Sequence, residues 1–231
     1  MPIDARRISA PSGNDADAVH EIFDALAVDI ASAARAAIHR RQAFKLVVTG
    51  GDSVLPLYER LRLLDTDWAA WRIFWSDERC VPPSDATRNS RRAREIWLDH
   101  VPVSEAHLFP IPAELGPDEG ARRYNQLLSM EADFDLVLLS LGEDGHVASL
   151  FPGHTEVLSS RSDAIAIHNA PKPPPERVTL SLQRLLRTGA LALVAIGRAK
   201  QRALEEFRLG TNPLSHGLAG ATNLRIWSVA N

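Results

Sequence analysis

The stretch over residues 135–141 constrains the fold more than any other, because Leu136-Val137-Leu138-Leu139 is apolar on both faces of an extended chain. A strand wetted on one side alternates apolar with polar residues. A strand without a polar face has to be covered twice, as in a parallel sheet between two layers of helices. The flanking sequence agrees. Val19, Ile22, Phe23, Leu26, Ile30, Ala34 and Ile38 recur at the three-and-four spacing of an amphipathic helix over 15–41, with its cap expected at Asn14 or Asp15. Residues 44–49 read as a strand that runs into Gly50-Gly51, and Leu55, Leu57, Leu61 and Leu64 as the helix after it. Further strands are expected at 72–76, 135–141, 190–196 and 224–229, and helices at 89–99, 118–130 and 199–208. The alternation predicts an α/β fold: a doubly wound, mostly parallel sheet with helices on both faces.

A chain of 231 residues with 45% hydrophobic side chains can bury the core of one such domain, expected to span residues 1–231. With 26 basic and 29 acidic residues the net charge is −3, without the positive field that a nucleic-acid partner requires. No apolar stretch approaches the roughly eighteen residues of a spanning helix, and residues 1–12 lack the apolar middle of a secretory signal. A cytoplasmic protein without a membrane partner is therefore expected, as a monomer or weak homo-oligomer. Cys80 is the single cysteine, so there is no internal disulfide and no cysteine pair for zinc. Pro171-Lys172-Pro173-Pro174-Pro175 is the one biased segment, too short to link independent domains.

In an open parallel sheet, ligands bind beyond the carboxyl ends of the strands, so chemistry is sought in the loops that leave them. Gly50-Gly51-Asp52-Ser53 joins a strand to a helix. It either aims backbone N–H groups at a phosphate or is simply a tight turn. It matches neither GxGxxG nor a Walker loop, so no nucleotide cofactor is indicated. Ser76-Asp77-Glu78-Arg79-Cys80-Val81-Pro82-Pro83 puts three charged residues directly after an apolar strand. A solvated charge cluster is the plain alternative; the position at a strand end favours substrate contact. Gly142-Glu143-Asp144-Gly145-His146 flanks two carboxylates with glycines and presents an imidazole at a strand end. Histidine, with an ordinary pKa near 6.5, is suited to general-base work near neutrality. His20, His39, His100, His107, His154, His168 and His216 are read as structural. Lys172 and Arg177 bracket prolines; a polyproline run would separate them by roughly 15 Å. Lys172 is then the direct anion ligand and Arg177 the bracing charge.

Together these motifs resemble the 6-phosphogluconolactonase family, related in fold to glucosamine-6-phosphate isomerases. The resemblance covers most of the chain. It is carried by Thr49-Gly50-Gly51 with Pro56-Leu57-Tyr58, by the segment from Phe74 through Pro83, and by Asn89 with Arg91 and Ala93-Arg94-Glu95. It continues through the strand at 134–139 into Gly142-Glu143-Asp144-Gly145-His146, then Ala148-Ser149-Leu150-Phe151-Pro152-Gly153, and last the segment from Pro171 through Thr179. The resemblance implies hydrolysis of 6-phospho-D-glucono-1,5-lactone to 6-phosphogluconate, the second step of the oxidative pentose phosphate pathway, with His146 as general base and no cofactor or metal. Asp144 or Asp77 would orient the imidazole or a sugar hydroxyl. Gly50, Gly51, Ser53, Arg79 and Lys172 would hold the phosphate, with Asp52, Asn89 and Arg177 beside them.

The chain departs from the family's first loop, usually Gly-Gly-Ser-Thr-Pro, by carrying Asp52, Ser53 and Val54. A carboxylate aimed inward would repel a phosphate by roughly 1 kcal/mol at 4 Å in water and roughly 4 kcal/mol near a protein surface. Otherwise Asp52 caps the following helix. Asp52→Ser is expected to tighten substrate binding. Val147, Ser90 and Arg92 replace a threonine, a tyrosine and an apolar residue. Two other functions are weighed: a sugar-phosphate isomerase or deaminase, and a non-catalytic sugar-phosphate-binding paralogue. A metal site of Asp144, His146 and His168 lacks a close ligand pair such as HExxH, so activity is expected to survive chelation.

Overall fold

The computed structural model describes residues 6–8, 15–154, 159–221 and 223–229. The short apolar runs become the strands of one sheet: β1 (Arg6–Ile8), β2 (Phe44–Val48), β3 (Trp71–Trp75), β5 (Leu108–Phe109), β6 (Leu136–Ser140), β9 (Leu191–Val194) and β10 (Leu224–Trp227), in the order β1-β10-β9-β6-β2-β3-β5. Every pairing in it is parallel. At its centre Leu46 lies opposite both Ile73 and Leu136, and Val47 opposite both Phe74 and Val137. All six side chains are buried, as the absence of a polar face demanded. Burying each is worth about 1.5–3 kcal/mol, which is what fixes the register.

The helices are α1 (Asp15–Arg41), α2 (Leu55–Leu61), α3 (Asn89–Ile96), α4 (Pro117–Leu128), α5 (Leu182–Leu186), α6 (Gln201–Leu209) and α7 (Pro213–Leu218). The stripe read in α1 is the buried one: Ile22, Phe23, Leu26, Ile30 and Ala34 face the core. Of its expected caps, Asn14 lies outside the described residues. Among the described residues no helix is long and apolar enough to cross a membrane.

From β2 the chain steps through α2 to β3 and on to β5. After α4 it returns to the other side of β2 as β6 and continues outward through β9 to β10. Right-handed crossovers place helices of opposite travel on opposite faces. Thus α1 and α2, which pack together, share one face, and α4 and α6 belong to the other. The direction reverses between neighbours β2 and β6, so the loops leaving these two strands diverge and open a crevice.

Residues 76–83 are not simply a loop. β4 (Asp77–Arg79) forms there and pairs antiparallel with β8 (Arg177–Leu180), which pairs antiparallel with β7 (Ala164–Ile167). The polar Asp77-Glu78-Arg79 has no strand pattern of its own, because its ladder partner lies far along the chain. The helix expected over 89–99 ends at Ile96, where Trp97 leaves the helical region (φ −130°) and buries its indole.

Candidate active site

A cleft of about 430 Å³ opens where β2 and β6 diverge. Its first wall is the loop after β2. The Tyr58 hydroxyl donates to the Thr49 carbonyl and ties the loop to α2. Gly50 has no room for a side chain, since a Cβ would lie 2.0 Å from Asn89 Oδ1, and Gly51 adopts φ +98°. A short 3-10 turn, Asp52–Val54, leads into α2. Gly50, Gly51, Asp52 and Ser53 all line the cleft. The helix cap expected of Asp52 is not found. The cap of the 3-10 turn is Gly51 and that of α2 is Val54, both without a side-chain bond, while Asp52 Oδ1 pairs with Arg92 Nη2 at 2.5 Å.

The second wall is β4. Asp77 is buried and its carboxylate accepts from Ser149 Oγ (2.7 Å) and Asn89 Nδ2 (3.3 Å). The ladder sets Arg79 opposite Arg177, so backbone pairing gathers two cations at one end of the cleft. Behind them Glu78, fully buried, accepts from the amides of Arg79 (2.9 Å), Asn89 (2.8 Å) and Ser90 (2.7 Å). Burial pushes its carboxyl above the ordinary range, against the pull of those amides.

The third wall is the loop after β6. The His146 ring lies over Gly142, where a Cβ would sit 2.1 Å from Nδ1, and against the Phe151 ring, centroids 4.9 Å apart. His146 Nδ1 is 2.5 Å from Asp144 Oδ1, which also stands 3.5 Å from Lys172 Nζ. Burial raises the Asp144 carboxyl, but the hydrogen bond and charge of His146, with the charge of Lys172, outweigh it and hold the group well below the usual carboxylate range. An ionised carboxylate only accepts, so Nδ1 is the nitrogen that donates to it, on a ring that lines the cleft. Asp144 stands behind that ring and is not itself a lining residue.

Lys172 and Arg177 both line the cleft. The proline run is folded back rather than extended: Arg177 donates to the carbonyls of Lys172 (2.9 Å) and Pro174 (3.0 Å), which brings the two charges to one site. Arg177 is buried and Lys172 half-exposed.

Residues 17–221 match the family described as glucosamine-6-phosphate isomerases/6-phosphogluconolactonase. The chain belongs to this family. A 6-phosphogluconolactonase of Mycobacterium leprae is 36% identical over 209 residues, covering 84% of this chain and 85% of that one. One of Synechocystis is 37% identical over 179 residues, covering 74% and 73%. The crystal structure of a 6-phosphogluconolactonase from Thermotoga maritima superposes with a TM-score of 0.86, at 23% identity, over 99% of this chain and 100% of that one. This last likeness concerns the fold.

In this family member one cleft residue, Lys200, had no site role in the sequence reading. Lys200 Nζ donates to Ser53 Oγ (2.8 Å) and Ser140 Oγ (2.9 Å), and so bridges the loop after β2, the end of β6 and the turn after β9. Burial lowers its ammonium to about 8, opposed by Glu143 and reinforced by Lys172. Gly197-Arg198-Ala199-Lys200 follows a strand, so the strand-end rule that singled out the other loops applied here also. Ser149, behind the lining, was read only as part of a motif, and its hydroxyl fixes Asp77. The lining carries Arg79, Lys172, Arg177 and Lys200 against Asp52, Asp77 and Glu143. Asp52 is paired with Arg92, and the lining cations outnumber the lining carboxylates, a field that favours an anion. His168 pairs with Asp118 (3.2 Å) instead of joining Asp144 and His146. Among the described residues no three His, Cys, Asp or Glu side chains gather to hold a metal ion.

Proposed function

We propose that this chain hydrolyses 6-phospho-D-glucono-1,5-lactone to 6-phospho-D-gluconate, with His146 as general base. The observation that carries the reading is the contact of His146 Nδ1 with Asp144 on a ring lining a cationic cleft. Nε2 takes a proton from water as the water oxygen bonds to the lactone carbonyl carbon. The tetrahedral intermediate then expels the ring oxygen, which receives that proton from the imidazolium, and the carboxylic acid so formed, carrying water's second proton, releases it to solvent as a carboxylate. Asp144 holds the tautomer and offsets the imidazolium charge; Lys172 tempers that carboxylate without neutralising the base. The phosphate is held by Lys200, Ser53 and the N–H groups of the loop after β2, together with Arg79 and Lys172, so that remote binding energy orients the ring ester. Asp77 and Asn89 are the sugar-facing wall, and Arg177 braces the loop of Lys172.

An isomerase would need a carboxylate to move protons between adjacent carbons. Lactone hydrolysis, corrected for the spontaneous rate, should fall about 10²–10⁴-fold in His146→Ala. Equal corrected rates in wild type and variant would reject the reading in favour of a binding protein. Ammonia released from glucosamine 6-phosphate would instead assign the deaminase.

A further inference from the structure

Asn212 stands outside the cleft lining, at the start of α7, yet both ends of its buried amide are engaged. Oδ1 accepts from the Leu214 amide at 2.9 Å and so caps α7. Nδ2 donates to the Gly145 carbonyl at 2.9 Å. One partner is a donor and the other an acceptor, so the amide cannot be turned over without losing both bonds.

The acceptor belongs to the turn that carries the imidazole. Gly145 N–H donates to the Gly142 carbonyl (3.0 Å), and Gly142 N–H donates to the His146 carbonyl (2.7 Å). Gly145 adopts φ +84°, and a Cβ there would lie 2.3 Å from Asn212 Nδ2. On the far side Ser149 fastens the same turn through its hydroxyl to Asp77 (2.7 Å) and its amide to Thr179 Oγ1 (3.2 Å). Between these fastenings, Gly145 is the one point at which α7 grips the turn.

We propose that Asn212 is a positioning residue for His146: its carboxamide holds the Gly145 carbonyl and thereby sets the imidazole against Asp144 and the substrate. The inference rests on His146 being the base. Capping and clamping are separable, because a serine caps a helix well but is too short to reach Gly145. Displacing a catalytic group by about 1 Å can cost about 100-fold in rate, whereas the phosphate contacts lie on other loops.

Asn212→Ser is compared with wild type and His146→Ala in lactone hydrolysis, with the thermal midpoint measured on each. The expected result is kcat reduced about 10–100-fold with KM unchanged and a midpoint lowered by several degrees, as the loss of one buried hydrogen bond requires. A kcat equal to wild type, or a KM that rises in step with falling kcat, would overturn the clamp. If the serine variant does not fold, Asn212→Asp, which keeps an acceptor for the Leu214 amide but has no donor for the Gly145 carbonyl, is read by the same criteria. His146→Ala as active as wild type would remove the base and the clamp together. An inactive His146→Ala beside a fully active Asn212→Ser removes the clamp alone.

Discussion

The carboxylate of Asp52 meets the guanidinium of Arg92 at the edge of the cleft, Oδ1 to Nη2 at 2.5 Å, so two departures from the family's usual sequence neutralise one another. Asp52→Ser leaves an unpaired cation at the rim and should lower KM, as the sequence suggested, though for a different reason. Arg92→Leu leaves an unpaired anion and should raise it. The Asp52 side chain is 83% exposed, so each change stays below about fivefold, and the double variant returns close to wild type. KM for the lactone in the four proteins checks this; single variants that leave KM unchanged, or that move it in the same direction, would show that the pair does not set the charge at the rim.

Gly142→Ala should be among the most damaging small substitutions. The added methyl would stand 2.1 Å from His146 Nδ1, and the ring has Phe151 against it, so the imidazole must leave Asp144. A fall in kcat of about 100-fold is expected, with the thermal midpoint little changed. A kcat within a few fold of wild type would place the ring elsewhere.

Lys200 gives the site a pH dependence on the alkaline side. Its ammonium, lowered to about 8 by burial, is charged at neutrality and is lost as pH rises through that value. Affinity for 6-phosphogluconate should therefore hold below pH 8 and weaken above it, as titration calorimetry can follow. Lys200→Arg, which keeps its charge, should abolish the alkaline weakening. Lys200→Met should bind weakly at every pH. A wild-type affinity independent of pH across that range would remove Lys200 from the phosphate site.

Glu78→Ala would strip the acceptor from three buried amides, those of Arg79, Asn89 and Ser90. Each such loss costs about 1–3 kcal/mol. A total near 3 kcal/mol corresponds to roughly 6–12 °C in thermal midpoint for a chain of this size. Calorimetry would show it, with a raised KM because Arg79 and Asn89 lose their support. A midpoint shift under about 2 °C would mean that water replaces the carboxylate.

The sheet was legible wherever burial on two faces left an unbroken apolar run, as at Leu136-Val137-Leu138-Leu139, and wherever glycines marked the exit of a strand. The site could be read from the same places, since Gly50-Gly51 and Gly142 to His146 are short, local and chemically loaded. What escaped was pairing at a distance. β4 owes its extended form to β8, and nothing in Asp77-Glu78-Arg79 announces that partner. Lys200 at a strand exit and Asn212 at a helix start were each open to a local rule, but their roles exist only through Ser53, Ser140 and Gly145. The direction of Asp52 depended on Arg92, which sits on α3, and no local rule joins the two positions.

Because Lys200 bridges Ser53 and Ser140 while Asn212 grips Gly145, the last quarter of the chain completes a pocket whose base was laid down much earlier. A product truncated after β9 would contain His146, Asp144, Arg79 and Lys172 and still lack a working centre. Recovery of turnover during refolding therefore requires the C-terminal segments to be docked, whatever fraction of the sheet has already formed.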